Sequence, residues 1–141
     1  MSKVSIVYWS GTGNTQKMAE AVAEGVKEAG AEADLKFVSA ATVDELAAEP
    51  AFALGCPSMG AEELEDAEME PFMAELESKI SGKKIALFGS YGWGDGQWMR
   101  DWEARIQSAG ATVVNGEGII VNGEPDDDII EELKALGKAL V

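Results

Sequence analysis

The 141-residue sequence contains no histidine and only one cysteine, Cys56. Without histidine the chain lacks the commonest general base and the commonest transition-metal ligand, which disfavours catalytic triads and zinc hydrolysis. A single cysteine can form no internal disulfide and cannot supply the thiolates of a zinc or iron–sulfur site. We therefore predict no metal site and interpret Cys56, at the end of a buried strand, as a small apolar residue.

Basic residues are also scarce, since 11 Lys and Arg stand against 26 Asp and Glu, a formal net charge of −15. This charge repels nucleic acids and anionic membranes and favours partner proteins with basic docking surfaces, although it could serve solubility alone. No long hydrophobic run is present, because the opening run over residues 4–9 is too short for a signal peptide or a membrane span. We expect a cytoplasmic protein that binds neither nucleic acid nor membrane.

The chain length and its apolar content of 46% suit one hydrophobic core. We expect a single domain over residues 1–141 and a monomer. Strand-like and helix-like patterns alternate along the chain. Apolar runs predict strands at 4–9, 33–38, 51–55, 84–89 and, more weakly, 112–121. Helical spacing joins Met18, Val22 and Val26, then Phe72, Leu76 and Ile80, then Trp98, Trp102 and Ile106, and finally Ile129, Leu133, Leu136 and Leu140. Five strands alternating with helices predict an α/β fold, a doubly wound five-stranded parallel sheet with helices on both faces.

Ligands of such sheets bind beyond the carboxyl ends of the strands, which selects the loops 10–15, 56–63 and 90–96. The first loop, Ser10-Gly11-Thr12-Gly13-Asn14-Thr15, joins a buried strand directly to a helix and combines free backbone amides with hydroxyl groups. It predicts a site for one monophosphate, although a merely tight turn is the alternative. The loop lacks the lysine of a P-loop, and Gln16 stands where a dinucleotide fingerprint has its third glycine.

The second and third loops are rich in glycine, and each carries one large apolar side chain, Met59 or Trp93. Two such loops can hold a flat ring between them, and an aromatic side chain between two glycines usually stacks on a ligand. Core packing is the alternative for Met59. Trp98 and Trp102 are predicted to belong to the core, and Trp9 fits either role.

These three loops, in this order, resemble the phosphate loop and the two ring-binding loops of short-chain flavodoxins, particularly those of clostridia-like bacteria. The resemblance covers almost the whole chain. It implies a flavodoxin-like fold with strand order 2-1-3-4-5 and a non-covalently bound FMN that cycles between semiquinone and hydroquinone. It also implies a low-potential one-electron carrier that serves other redox enzymes and is not itself an enzyme.

The resemblance also implies roles for individual residues. The phosphate would be held by the loop from Ser10 to Thr15, through the side chains of Ser10, Thr12, Asn14 and Thr15 and the amides that include those of Gly11 and Gly13. Trp93 would stack on the outer face of the flavin and Met59 on the inner face, while Glu62 would accept a hydrogen bond from the flavin N3–H. In the turn Met59-Gly60-Ala61-Glu62 the Gly60 carbonyl would reorient on reduction. The remaining predicted contacts are Pro57, Ser58, Ser90, Tyr91, Gly92 and Gly94, and Pro57 and Ala61 depart from the family pattern.

The sequence leaves three other functions open. An FMN-dependent NAD(P)H:quinone reductase would need a second pocket, usually built from an extra loop and a dimer interface, and 141 residues leave little chain for it. A response-regulator domain would need a strand-end aspartate, where Ser10 and Pro57 stand instead. A flavodoxin dedicated to one enzyme is not separable from a general carrier by sequence.

Overall fold

The structure is a computed structural model that describes residues 3–141 as one parallel sheet flanked by helices. The strands follow the order β2-β1-β3-β4-β5, β6 also pairs with β4, and every pairing is parallel. The predicted α/β fold and its 2-1-3-4-5 order are therefore confirmed. The strands are β1 (Lys3–Tyr8), β2 (Glu32–Phe37), β3 (Ala51–Gly55), β4 (Lys84–Tyr91), β5 (Thr112–Val113) and β6 (Ile119–Asn122).

The middle strands are buried on both faces, so their side chains build two separate cores. Val7, Leu54 and Leu87 point to one core, while Ile6 and Phe88 point to the other. Successive side chains of a strand face opposite sides of the sheet, and a strand covered on both sides is therefore apolar at nearly every position. This requirement explains why β1 and β4 stand out in the sequence as near-continuous apolar runs.

The five helices cover the two faces of this sheet. α1 and α5 pack together on the core that contains Ile6, whereas α3 and α4 contribute their buried side chains to the other core. The sequence patterns indicate four of the helices and miss the five-residue α2. Its start carries a recognisable signal, because the Thr42 hydroxyl accepts a hydrogen bond from the Glu45 amide and donates one to the Glu45 carboxylate. The helices are α1 (Asn14–Glu28), α2 (Val43–Ala47), α3 (Met69–Leu76), α4 (Gln97–Ser108) and α5 (Asp127–Lys138).

The fifth strand position is filled by two short strands where the sequence predicts one strand over residues 112–121. Asn115 (φ 64°) and Gly116 (φ 81°) both adopt left-handed backbone conformations that an extended strand cannot contain. The chain therefore turns between β5 and β6. Both segments return to β4, so the order of the sheet is preserved.

The aromatic residues of α4 belong to the core, as predicted. Trp98 and Trp102 are almost fully buried, and the Trp98 indole N–H donates a hydrogen bond of 3.0 Å to the Cys56 carbonyl. Cys56 itself is buried, and burial raises the pKa of its thiol to about 12. Its thiol is therefore protonated at neutral pH, in agreement with a packing role.

Helices α1 and α5 approach so closely that glycine is required at their contact. A Cβ atom on Gly25 would collide with the Lys134 carbonyl, and one on Gly137 would collide with the Val22 carbonyl. Each helix thus places a glycine against the backbone of the other. Within residues 3–141, no helix is long and apolar enough to cross a membrane.

The segment before α3 is fixed by a buried carboxylate. Glu65 is 6% exposed and accepts hydrogen bonds from the amides of Ala67, Glu68 and Met69 at 2.8–3.0 Å. Burial raises the pKa of the Glu65 carboxyl, but the three amide donors lower it more, so this pKa lies below its ordinary value. The charged carboxylate therefore holds the end of the second loop against the first turn of α3.

Replacing Gly137 by alanine tests the close packing of α1 and α5. Helix propensity alone would stabilise the variant by about 1 kcal/mol. Because the added methyl group collides with backbone, we expect Gly137→Ala instead to lower the free energy of unfolding by about 1–3 kcal/mol in urea titrations. The exposed Ala135→Gly gives the propensity scale for the same helix. A stabilised Gly137→Ala protein would show that the helices separate without cost.

Replacing Glu65 by glutamine tests the carboxylate cap. A carboxyl with a lowered pKa in the folded state stabilises the fold above its unfolded pKa and loses that contribution as the pH falls through the folded pKa. We expect the unfolding free energy of the parent to decrease as the pH drops below about 4.3, the ordinary pKa of a glutamate side chain. Glu65→Gln should be less stable at pH 7 and should show a shallower acid loss. An unchanged acid slope, relative to Glu24→Gln on the exposed side of α1, would contradict the assignment.

Candidate functional site

A cavity of about 250 Å³ lies at the carboxyl ends of the central strands, where the three predicted loops meet. Eleven of the sixteen predicted site residues line it, and they come from all three loops. Trp9 and Gly123 line it as well. The predicted residues in the lining are Ser10, Gly11, Thr12, Asn14, Thr15, Pro57, Ser58, Met59, Ser90, Tyr91 and Gly92.

The first loop ends in the amino terminus of α1, which begins at Asn14. Gly13 precedes it with φ 100°, a conformation that favours glycine. The Ser10 hydroxyl oxygen accepts hydrogen bonds from the amides of Gly13 (3.2 Å) and Gln16 (3.3 Å). The first amides of a helix have no acceptor within the helix and carry a partial positive charge, so this end of the cavity suits an anion.

Thr15 links the first loop to β4. Its side chain is fully buried, its hydroxyl oxygen lies 3.2 Å from the Ser90 hydroxyl oxygen, and it accepts a hydrogen bond from the Ser90 amide at 3.4 Å. The Thr15 hydroxyl therefore positions the strand end in addition to lining the cavity. The Ser90 amide uses only the oxygen of the Thr15 hydroxyl, and either of the two hydroxyl groups can donate to the other. When Ser90 is the donor of that pair, the Thr15 proton is available to a ligand.

The second loop continues the pairing of β3 and β4 beyond the strands. The Cys56 amide donates to the Phe88 carbonyl and the Ser58 amide donates to the Ser90 carbonyl, both at 3.1 Å. These bonds hold Ser58 and Met59 at the cavity wall. The Ser58 side chain is 9% exposed, and its hydroxyl oxygen is buried without a hydrogen-bond partner among residues 3–141.

The turn of the second loop is longer than the sequence predicts. The amide and carbonyl groups of Met59 and Glu63 exchange two hydrogen bonds of 2.9 and 2.8 Å, which close a five-residue turn where the sequence predicts four. Positive φ angles fall on Gly60 (52°) and Glu62 (57°), and Ala61 has no positive φ. Only one of these two positions carries glycine, so Glu62 adopts a backbone conformation that side chains disfavour.

The third loop contributes Tyr91 and Gly92 to the cavity and leaves Trp93 at the surface. The Trp93 side chain is 54% exposed, more than any other large apolar side chain among residues 3–141. An exposed tryptophan beside the cavity is available to stack on a ligand. The five predicted site residues outside the cavity lining are Gly13, Gly60, Glu62, Trp93 and Gly94.

Two residues of the lining, Trp9 and Gly123, are not among the predicted site residues. Trp9 follows β1 directly, and its ring centroid lies 6.4 Å from that of Phe37. Gly123 follows β6, and its amide donates a hydrogen bond of 2.9 Å to the Tyr91 carbonyl. The strand-end rule selects Gly123 as well when it is applied to the end of the strand predicted over residues 112–121, whereas the prediction used only the ends of the first, third and fourth strands.

A larger cleft of about 580 Å³ runs along the edge strand β6 between α4 and α5. Met99, Arg100, Glu103, Ile120 and Glu132 are among its lining residues. It is lined mainly by α4, α5 and the chain from Asn115 to Ile120, and it touches only one of the three loops, at Gly96 before the start of α4. We therefore place the functional site in the smaller cavity. The described residues contain no group of three or more metal-ligating side chains in reach of one ion.

The residues of the smaller cavity fit FMN. The start of α1 and the hydroxyls around it suit a phosphate, and Trp9, Met59 and Tyr91 supply apolar surface for a ring. The Ser58 hydroxyl, which has no partner among residues 3–141, belongs to a residue of the same lining and can bind a further polar group. FMN likewise consists of a phosphate, a polar ribityl chain and a flat apolar ring. Hydrophobic walls with a few placed polar groups are the usual composition of cofactor sites.

Comparison with known proteins identifies the family. The Flavodoxin family model matches residues 6–136. The flavodoxin of Clostridium beijerinckii is 55% identical over 88% of this chain and 89% of its own length, and that of Megasphaera elsdenii is 49% identical over 96% of each chain. The solution structure of two-electron reduced Megasphaera elsdenii flavodoxin superposes with a TM-score of 0.87 at 47% identity, covering 96% of this chain and 98% of that one.

The quinone-reductase alternative receives less support. A match to an NAD(P)H dehydrogenase (quinone) of Methylocella silvestris covers only 38% of this chain and 27% of that protein. The Flavodoxin family model, in contrast, spans residues 6–136 and so includes all three loops. The chain belongs to the flavodoxin family and is an FMN-binding electron-transfer protein.

Proposed function

We propose that the cavity at the carboxyl ends of β1, β3 and β4 is the FMN site of a one-electron carrier that works as a single-domain cytoplasmic monomer. The observation that carries this proposal is the convergence of the three loops on one cavity, with the start of α1 at one end and apolar side chains at the other. Bound FMN supplies reversible one-electron redox chemistry. The chain binds it, orients it and limits the access of water.

The phosphate lies at the start of α1 in this proposal. The amides of the first helical turn and the hydroxyls of Ser10, Thr12 and Thr15 face it, together with the Asn14 side chain. The nearest cation along the chain, Lys17, is paired with Glu124 at 2.6 Å, so dipoles and hydroxyls carry the binding. Such a site suits a compact terminal phosphate, which helix amides can surround.

The flavin ring lies between Met59 and Trp93, with the amides around Gly92 at its polar edge. The exposed Trp93 would cover the ring on its outer side, and Met59, which lines the cavity, would supply a polarizable contact on the inner side. Ser58 and Pro57 border the chain between ring and phosphate.

The docking surface is acidic in this proposal, and the structure reduces the number of acids available for it. Residues 62–77 contain eight acidic residues and no basic residue. Four of them already serve the fold: Glu62 binds an amide of the third loop, Glu65 caps α3, and Glu70 and Glu77 hold Arg105 at 2.7 and 2.9 Å. The docking charge therefore resides mainly on Glu63, Asp66, Glu68 and Glu75.

Removing the Thr15 hydroxyl tests the phosphate site. Loss of a hydrogen bond to a charged group should cost about 1.5–3 kcal/mol, so Thr15→Ala should bind FMN about ten- to a hundredfold more weakly. Fluorescence titration of the apoprotein measures the dissociation constant. Riboflavin, which lacks the phosphate, should bind the parent far more weakly than FMN and should lose little further affinity in the variant. An unchanged FMN affinity, or an equal loss with Thr42→Ala at the distant cap of α2, would contradict the phosphate assignment.

Varying the salt concentration tests the acidic docking surface. Electron transfer to a basic redox protein should slow steeply as ionic strength rises to about 0.15 M, where the screening length is about 8 Å. Neutralising Glu63 and Asp66 together should lower the rate at low salt and flatten this dependence in stopped-flow experiments. The same change at Glu20 and Glu24, on the exposed face of α1, should leave both unaffected. A flat salt dependence of the parent would mean that docking is apolar.

A further inference from the structure

One carboxylate joins the second and third loops. Glu62 Oε1 accepts a hydrogen bond of 2.9 Å from the amide of Asp95, which lies 33 residues further along the chain. Glu62 Oε2 is buried and has no hydrogen-bond partner among residues 3–141. The side chain is held in this position although its own backbone has φ 57°, so the contact is maintained against a local conformational cost.

Gly94 leaves the space that this carboxylate occupies. A Cβ atom on Gly94 would collide with Glu62 Oε1 and would lie 3.1 Å from Glu62 Cγ. Gly94 also has φ 84°, which disfavours any side chain. Glycine is thus required here by the backbone and, independently, by the carboxylate beside it.

Asp95 has a second anchor of a different kind. Arg100 of α4 donates to the Asp95 carbonyl at 3.1 Å and to its carboxylate at 2.9 Å, and both side chains are exposed. This contact fixes Asp95 to the helix that follows it. Glu62 instead fixes Asp95 to the other ring-binding loop.

We infer that Glu62 and Gly94 are a positioning pair that sets the separation of the two ring-binding loops before the cofactor binds. The inference rests on the proposed FMN site, because the separation matters only if a ring lies between the loops that carry Met59 and Trp93. Loops that already hold the bound geometry lose less conformational entropy on binding. Removing either member of the pair should therefore weaken FMN binding, in addition to the loss of the hydrogen bond that Glu62 is predicted to accept from the flavin N3–H, and hydrogen exchange in the absence of FMN separates the two effects.

The shared contact makes a double-mutant cycle decisive. In Gly94→Ala the new methyl group displaces the Glu62 carboxylate, which can swing away because it is the end of a flexible side chain. In the Glu62→Ala background no carboxylate is present, so the same substitution adds only its backbone cost. Gly82→Ala supplies that cost separately, since Gly82 has φ 82° and a Cβ there meets nothing within 4 Å. Glu62→Gln keeps an oxygen that can accept from the Asp95 amide.

Amide hydrogen exchange on the protein without cofactor directly measures whether the Asp95 amide is hydrogen-bonded to Glu62. Losing a hydrogen bond to a charged acceptor should speed exchange at the Asp95 amide by about tenfold or more in Glu62→Ala and Gly94→Ala. The parent, Glu62→Gln and Gly82→Ala should retain their protection. Equal Asp95 exchange in the parent, Glu62→Ala and Gly94→Ala would overturn the inference.

FMN titration of the same proteins measures the effect of this contact on the dissociation constant. We expect Glu62→Ala and Gly94→Ala each to weaken FMN binding by about tenfold, and the double variant to bind within about threefold of Glu62→Ala, because residues in contact are not additive. Glu24→Gln, on the exposed side of α1, should leave the dissociation constant nearly unchanged. If the fold-losses of FMN affinity in the two single variants instead multiply in the double variant, the inference is overturned. A parent that bound no FMN would refute the proposed site instead, while Asp95 exchange would still report the contact.

Discussion

The parallel pairing of β1, β3 and β4 is the constraint on which the rest of this structure depends. Parallel strands bring their carboxyl ends to the same edge of the sheet, so three loops far apart in the chain begin side by side. The pairing also requires a helix between successive strands, and these helices bury both faces. The cavity is therefore a consequence of how the core is covered, and each of its walls begins where a buried strand ends.

The pairing continues into the site through hydrogen bonds that no longer belong to the sheet. The amides of Cys56 and Ser58 donate to carbonyls of β4, and Thr15 binds the end of the same strand through Ser90. These bonds tie the anion-binding loop, the second loop and β4 into one rigid frame. The third loop lies further from the sheet, and it is held by side chains, Glu62 on one side and Arg100 on the other.

The acidic residues divide into those that shape the protein and those that face its surroundings. Glu65 replaces backbone acceptors at the start of α3, and the pair Glu70 and Glu77 holds Arg105 between α3 and α4, which raises the pKa of that guanidinium. Buried or paired carboxylates of this kind act locally. The remaining negative charge acts at longer range, where it is screened by salt.

The sequence by itself determined the fold class, the order of the elements and the loops of the site, because buried strands, amphipathic helices and glycine-rich strand ends each leave a local pattern. It also indicated the burial of Trp98 and Trp102 and the exposed position of Trp93. Tertiary structure alone decided that residues 112–121 form two strands, that Trp9 and Gly123 line the cavity, and that four of eight neighbouring acids serve the fold. It alone placed the Glu62 carboxylate in the space beside Gly94. Such contacts join residues separated by tens of positions, so no local sequence pattern indicates them. Only the folded chain brings their atoms together.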